Sequence, residues 1–212
     1  MEPDFWHQKW ESNVIGFHKK EANRFLVSHF ASLVLTEASR VFVPLCGKTR
    51  DIAWLLSNSQ RVVGIELSEI AVKQLFEELA LTPTISQNKS HIHYRADNID
   101  IFVGDIFRLN KEQLGAVDAV YDRAAYVALP FEMRQRYTNH LIDITDSASQ
   151  LLITFEYDQS LQNGPPFAIS NQEINQHYQT SYDIHLLASE ALEGGLKGQC
   201  DAVKNVWLLK KA

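Results

Sequence analysis

The stretch Arg40-Val-Phe-Val-Pro-Leu-Cys-Gly-Lys-Thr-Arg-Asp-Ile-Ala-Trp-Leu-Leu55, followed by Val62-Val-Gly-Ile-Glu66, restricts the fold more than any other part of the chain. Val41 to Val43 is a short β-branched and aromatic run bounded by Pro44 and Gly47, which predicts a buried strand ending in a tight turn. Beyond it, Ile52, Ala53, Leu55 and Leu56 fall on helical spacing, and Asp51 stands in the first turn, where a carboxylate suits the helix dipole. Arg61 to Ile65 predicts a second apolar strand, and it stops at an acid. Strand, turn, helix, strand and an acid about 20 residues past the glycine make the nucleotide-binding half of a doubly wound sheet. In that arrangement the turn lets backbone N–H groups approach a ligand. The carboxylate of Glu66 can accept hydrogen bonds from both hydroxyls of a ribose.

This turn is not the dinucleotide fingerprint, because Gly47 is its only glycine. It is not a Walker loop either: Gly47-Lys48-Thr49 needs a further glycine where Phe42 stands. One glycine cradles a pyrophosphate or triphosphate poorly. It suits a nucleoside ligand without phosphates, such as S-adenosylmethionine.

A chain of 212 residues fits one α/β domain, 1–212, with a helical segment at 1–35 and the sheet core at 40–212. Apolar residues at 45% and charged residues at 22% are ordinary globular values. A net charge of −6 argues against a nucleic-acid partner, which needs a basic face. Cys46 and Cys200 are the only two cysteines, too few for a disulfide framework or a Cys-rich zinc site. No apolar run approaches 18 residues, and Glu2 and Asp4 do not open a signal peptide, so a soluble cytoplasmic protein without a membrane partner is expected.

Before the first strand, Trp6, Trp10, Val14 and Phe17 are spaced to share one face of a helix that unwinds near Gly16. That face is either packed on the core or forms a lid whose aromatics cover a planar ligand. A second helix over about 21–34 is expected to pack on the sheet through Phe25, Leu26, Phe30, Leu33 and Val34. After Glu66, Ser68 can cap a helix running to about Leu79. Residues 82–90 read as a polar loop, followed by strands at His91–Arg95 and Ile99–Val103. Asp105, just past the second of these, is either a turn cap or an acceptor for an adenine amino group. Its register with Gly47 and Glu66 favours the second. The fourth strand of the doubly wound core, Val117–Asp122, runs into Arg123, and Asp122-Arg123 is expected to face the reactive end of a ligand at the switch point. A helix from about Pro130 places Met133, Tyr137, Leu141 and Ile142 on one face. Leu151–Tyr157 is the most apolar strand. Gly164-Pro-Pro-Phe167 reads as a rigid turn, since glycine stands where a base-modifying methyltransferase has a polar residue. A helix about 171–178 and a terminal antiparallel pair, near 183–189 and 202–209, complete the pattern. His91 and His93 share a strand face, which reads as hairpin surface rather than a metal site, and no metal is expected.

Seven blocks in order, Trp6-His-Gln-Lys-Trp10, Phe17-His18, Val43-Pro-Leu-Cys-Gly-Lys48, Val62-Val-Gly-Ile-Glu-Leu-Ser68, Gly104-Asp-Ile-Phe107, Tyr121-Asp-Arg-Ala-Ala125 and Gly164-Pro-Pro-Phe167, resemble the thiopurine S-methyltransferase family in its bacterial form. The resemblance runs from about residue 5 to 167. It implies a class I S-adenosylmethionine-dependent fold: a Rossmann-like, seven-stranded, mostly parallel sheet with an antiparallel last strand, helices on both faces and an N-terminal helical lid. Carried over by position, it sets the cofactor against Trp6, Trp10, Leu45, Gly47, Glu66, Asp105, Ile106 and Arg123, and the acceptor against Phe17 and Arg123. It implies methyl transfer to the sulfur of small aromatic or heterocyclic thiols such as thiopurines, leaving S-adenosylhomocysteine, by a monomer with a detoxifying role. Arg123 is the residue expected to act in catalysis, by holding the acceptor thiolate. A selenium or tellurium acceptor, with a part in metalloid resistance, and a non-catalytic module that binds the cofactor are the alternatives.

Overall fold

The computed structural model describes residues 3–15 and 18–212. The strands β1 (Arg40–Pro44), β2 (Arg61–Glu66), β5 (Ile99–Val103), β6 (Ala119–Arg123) and β7 (Ser149–Tyr157) form a parallel core in the order β5-β2-β1-β6-β7. These strands are buried on both faces, which is why they read as nearly continuous apolar runs rather than as alternation. Successive side chains point to opposite faces. Val41 and Val43 therefore enter one core cluster and Phe42 the other.

On the first face lie α2 (Arg24–His29), α3 (Arg50–Ser57) and α4 (Glu69–Glu78), contributing Phe25, Leu26, Ile52, Leu55, Val72 and Leu75. On the second lie α5 (Lys111–Leu114), α6 (Phe131–Ile144) and α7 (Asn171–Tyr178), contributing Leu114, Tyr137, Leu141, Ile174 and Tyr178. Each such apolar side chain stabilises the fold by about 1.5–3 kcal/mol. The helices begin where side-chain oxygens meet orphan N–H groups: Thr49 Oγ1 accepts from Asp51 N, Ser68 Oγ from Ala71 N and Ser170 Oγ from Glu173 N.

The sheet has nine strands among the described residues, not seven. Eight of the nine correspond to strands read from the residues, and β9 (Ala202–Lys211) inserts antiparallel between β7 and β8 (Tyr182–Ala191). On the opposite edge β4 (Ile92–Ala96), expected at His91–Arg95, extends β5 in antiparallel fashion, and β3 (Thr84–Gln87) beyond it is the strand that was not expected. The polar loop expected over 82–90 is thus in part a strand. All four β3 side chains are exposed, so no alternation marks it, and backbone pairing with β4 holds it in place.

The N-terminal region also departs from expectation. Helix α1 (Pro3–Glu11) stops before Val14, which is 54% exposed, and Phe17 lies outside the described residues. Helix α2 has six residues and passes into a 3-10 turn over Phe30–Leu33. Val34 then takes a left-handed conformation and is 85% exposed, so it does not pack on the sheet.

Candidate active site at the carboxyl ends of the central strands

The strand order reverses between β1 and β6, and this is where open α/β sheets form a crevice. The turn leaving β1 carries two left-handed residues, Leu45 at φ 45° and Gly47 at φ 51°. Glycine at 47 is required twice over. Its φ is unfavourable for other residues, and a Cβ would stand 3.0 Å from Trp10 Cζ2. The buried indole of Trp10 thus seats α1 directly on the turn. Trp6 is half-buried in the same helix and meets Phe5 edge-on at 5.2 Å.

Glu66, at the end of β2, is 6% exposed. Its Oε2 accepts the Gly47 N–H at 2.8 Å and its Oε1 accepts the Ser68 N–H at 2.9 Å. Burial pushes the Glu66 pKa upward, against the pull of these N–H donors and of His7 on α1. Each carboxylate oxygen has two lone-pair directions and spends one on the backbone. Glu66 therefore fixes the turn and retains acceptor capacity toward a diol.

The rest of the turn is unsuited to phosphate. Lys48 Nζ is bound to Glu78 Oε1 at 2.8 Å, so the lysine of the Gly-Lys-Thr sequence is held away from a phosphate role. A buried carboxylate below a single-glycine turn fits the ribose of a nucleoside without phosphates. S-adenosylmethionine has that chemistry.

Asp105 is exposed, and its Oδ1 accepts the Phe107 N–H at 3.0 Å, capping a short 3-10 turn. It performs the structural role weighed for it, with its other oxygen beyond that bond. Ile106 is buried beside it, and its carbonyl accepts from His140 Nε2 at 2.8 Å. His91 and His93 diverge: His91 Nε2 meets the Asp105 carbonyl at 3.2 Å, whereas His93 Nε2 pairs with Asp100 at 2.9 Å. Among the described residues no group of three or more His, Cys, Asp or Glu side chains could hold a metal ion.

The expected pair Asp122-Arg123 is split by strand alternation. Asp122 is fully buried on the α6 side, accepting Tyr137 OH at 2.7 Å and Tyr126 N–H at 3.0 Å. It does not face the crevice, and burial raises its pKa to about 6. Arg123 turns to the α3 side, where Nη1 donates to Thr49 Oγ1 at 3.2 Å and lies 3.4 Å from Asp51 Oδ2. Asp51 is 1% exposed and also accepts the Asn23 N–H at 2.6 Å and Tyr121 OH at 3.0 Å. Sequence reasoning had given Asp51 only a helix-dipole role. Its use by residues 28 and 70 positions away has no local signature.

Beside Arg123 opens a surface groove of about 380 Å³, largely open to solvent and lined by Lys19, Lys20, Glu21, Asn23, Arg24 and Lys204 as well. None of those lysines was singled out in the sequence. Gly164-Pro-Pro-Phe167 forms a turn in which Phe167 N–H donates to the Val127 carbonyl at 2.7 Å, as a rigid connection requires.

The thiopurine S-methyltransferase family model matches residues 1–208. A thiopurine S-methyltransferase of Xanthobacter autotrophicus is 54% identical over 100% of both chains. One from Teredinibacter turnerae is 48% identical over 100% of this chain and 98% of its own. Among solved structures, a SAM-dependent methyltransferase of Anabaena variabilis superposes with a TM-score of 0.64 at 15% identity, over 98% of this chain and 95% of its own. A Burkholderia thailandensis 1,6-didemethyltoxoflavin-N1-methyltransferase, solved with its substrate and S-adenosylhomocysteine, gives 0.66 at 12% identity, over 99% of this chain and 87% of its own. The two solved structures share the methyltransferase fold, and the sequence relatives go further: the chain belongs to the thiopurine S-methyltransferase family.

Proposed function

We propose that this chain transfers the methyl group of S-adenosylmethionine to the sulfur of small aromatic or heterocyclic thiols such as thiopurines. The observation that carries the reading is the buried Glu66 carboxylate, bonded to Gly47 N–H and Ser68 N–H and keeping lone pairs for a ribose diol. Family membership supports the thiol acceptor.

Glu66 and the Gly47 turn hold the ribose, Asp105 takes the adenine amino group, and Leu45, Ile106, Trp6 and Trp10 form apolar walls. Helix α1, with Trp10 on Gly47, is the lid. Phe17, outside the described residues, meets the acceptor. The bound cofactor supplies a methyl group on a sulfonium, already an activated electrophile. Two tasks remain for the protein. It must align the acceptor within about 3–3.5 Å of that carbon, and it must exclude water. The acceptor reacts as its thiolate, its proton going to solvent beforehand. The new sulfur–carbon bond forms as the sulfonium bond breaks, yielding a thioether and S-adenosylhomocysteine. Arg123 holds the thiolate, its charge placed by Thr49 and Asp51.

Turnover of a panel of aromatic thiols, beside the matching phenols and anilines, tests the acceptor. Arg123→Lys keeps the charge, loses the planar fork and should lower turnover. Arg123→Ala should move half-maximal turnover to higher pH, since the thiol ionises less readily without the cation. S-adenosylhomocysteine binding without methylation of any thiol would overturn the acceptor assignment. An unmoved pH profile in Arg123→Ala would remove Arg123 from the thiolate.

A further inference from the structure

We propose that the groove beside Arg123 binds an oxyanionic substituent, a carboxylate or phosphate, carried by the acceptor in addition to its sulfur. The proposal rests on the thiol-methylation reading and names the acceptor class within it.

The groove is built from three separated parts of the chain: the segment 19–24 ahead of and into α2, Arg123 at the end of β6, and Lys204 on β9. Lys204 pairs across the ladder with Phe155 of β7, so the groove lies over the same carboxyl-end crevice as Arg123. Its volume of about 380 Å³ falls in the range of small-ligand sites, roughly 300–1,000 Å³.

Charge decides what it can hold. Five cationic side chains, Lys19, Lys20, Arg24, Arg123 and Lys204, face one lining carboxylate, Glu21. In a chain of net charge −6 this is a concentrated reversal of sign. Two neighbouring acids offset part of this excess, leaving Lys19, Lys20 and Lys204 against Glu21. Glu190 pairs with Arg24, and Asp51 spends its oxygens on Arg123, Tyr121 and Asn23. Lys204 is the informative member. Its Nζ stands 5.4 Å from the ring centres of both Phe25 and Phe155, and among the described residues no carboxylate lies within ion-pair distance of it. Burial lowers its pKa, and Arg123, Arg24 and Lys19 lower it further, with only Glu190 opposing. A lysine held on aromatic walls in a field of like charge gains most from an anion bound against its ammonium group. The thiolate can meet Arg123 alone, so the other cations are left for a second negative group on the same molecule.

The test compares 4-mercaptobenzoate and 4-mercaptophenyl phosphate with the neutral methyl ester of the first, using kcat/KM in the full-length protein with S-adenosylmethionine. The wild type should prefer the acids over the ester by about tenfold or more. Lys204→Gln should reduce that preference at least fivefold, chiefly through KM, and Lys204→Arg should restore it. Lys19→Gln, an exposed change, should reduce it in the same direction should Lys204→Gln fold poorly. Whether phosphate or carboxylate is preferred identifies the source of the oxyanion. An acid-to-ester ratio near one in the wild type, or a ratio unmoved by both substitutions, overturns the proposal. Should no thiol be methylated, the acceptor reading fails by itself. Calorimetric binding of 4-mercaptobenzoate in the presence of S-adenosylhomocysteine, lost in Lys204→Gln, would then still support the anion groove, and no such binding would overturn it.

Discussion

Replacing Glu66 by glutamine separates a turn-building carboxylate from a ligand-binding one. Both oxygens of Glu66 accept backbone N–H groups, from Gly47 at 2.8 Å and Ser68 at 2.9 Å. An amide has one oxygen, so one of these donors would keep a partner and the other would face an NH₂ group. A buried N–H without an acceptor costs about 1–3 kcal/mol, and the surviving bond loses its charge assistance. Part of this is returned, because burial already disfavours the Glu66 charge and raises its pKa. A net loss of about 1–2 kcal/mol is expected without any ligand, a fall of roughly 3–6 °C in Tm for a chain of this size. Affinity for S-adenosylhomocysteine should fall further, by roughly 10- to 150-fold, for one lost hydrogen bond to a charged acceptor. Thermal unfolding of the free protein reads the first effect and titration calorimetry the second. An unmoved Tm would refute the argument that the carboxylate holds the turn. An unmoved affinity would take Glu66 out of the ligand site.

Hydrogen exchange across Trp6–Glu11 should slow when S-adenosylhomocysteine is added, because Trp10 rests on the Gly47 turn that the ligand would cover; equal protection in both states would make α1 ordinary core. Asp122, raised by burial from 3.8 to about 6, holds its proton more tightly folded than unfolded, so stability should fall as pH rises from about 4 to 6. Roughly 2 pH units at 1.36 kcal/mol each make this about 3 kcal/mol, and urea titrations of Asp122→Asn should lack that fall. Asp100 acts at lower pH: although burial would raise its pKa, His93 and Arg95 hold it well below the carboxylate range, so its contribution is lost only on stronger acidification. A slope in Asp122→Asn equal to wild type would assign the effect to another group.

The parts of the fold that were legible are those whose cause is local. Helix α7 begins and ends where its pattern predicts, and Ser68 caps α4 as expected. The central strands announce themselves because both faces are covered. What the sequence leaves unread lacks that imprint. The β3 side chains face solvent, so their residue types carry no periodicity, and the strand exists through its ladder to β4. The insertion of β9 between β7 and β8 is a choice of partner, which periodicity does not encode. Val14 fits the spacing of α1, but the helix ends before it.

The candidate site divides along the same line. Gly47 and Glu66 stand in one strand–turn–helix–strand unit, so 19 residues of separation were enough to join them by argument. Arg123, Asp51, Asn23 and Lys204 come together only in three dimensions. Asp51 is the joint among them: one buried carboxylate accepts from Asn23 ahead of α2, Tyr121 in β6 and the Arg123 guanidinium. Three donors offset the cost of burying that charge, and they also tie the segment lining the basic groove to the cation at the end of β6. Because Asp51 sits in the first turn of α3, which starts directly after the Gly47 turn, the groove side and the Glu66 side of the crevice hang on one short stretch of backbone. A displacement of that helix start would move Arg123 and Gly47 together. Donor and acceptor alignment over an ångström or less is what an in-line transfer demands, and a shared anchor supplies it more directly than two independent ones.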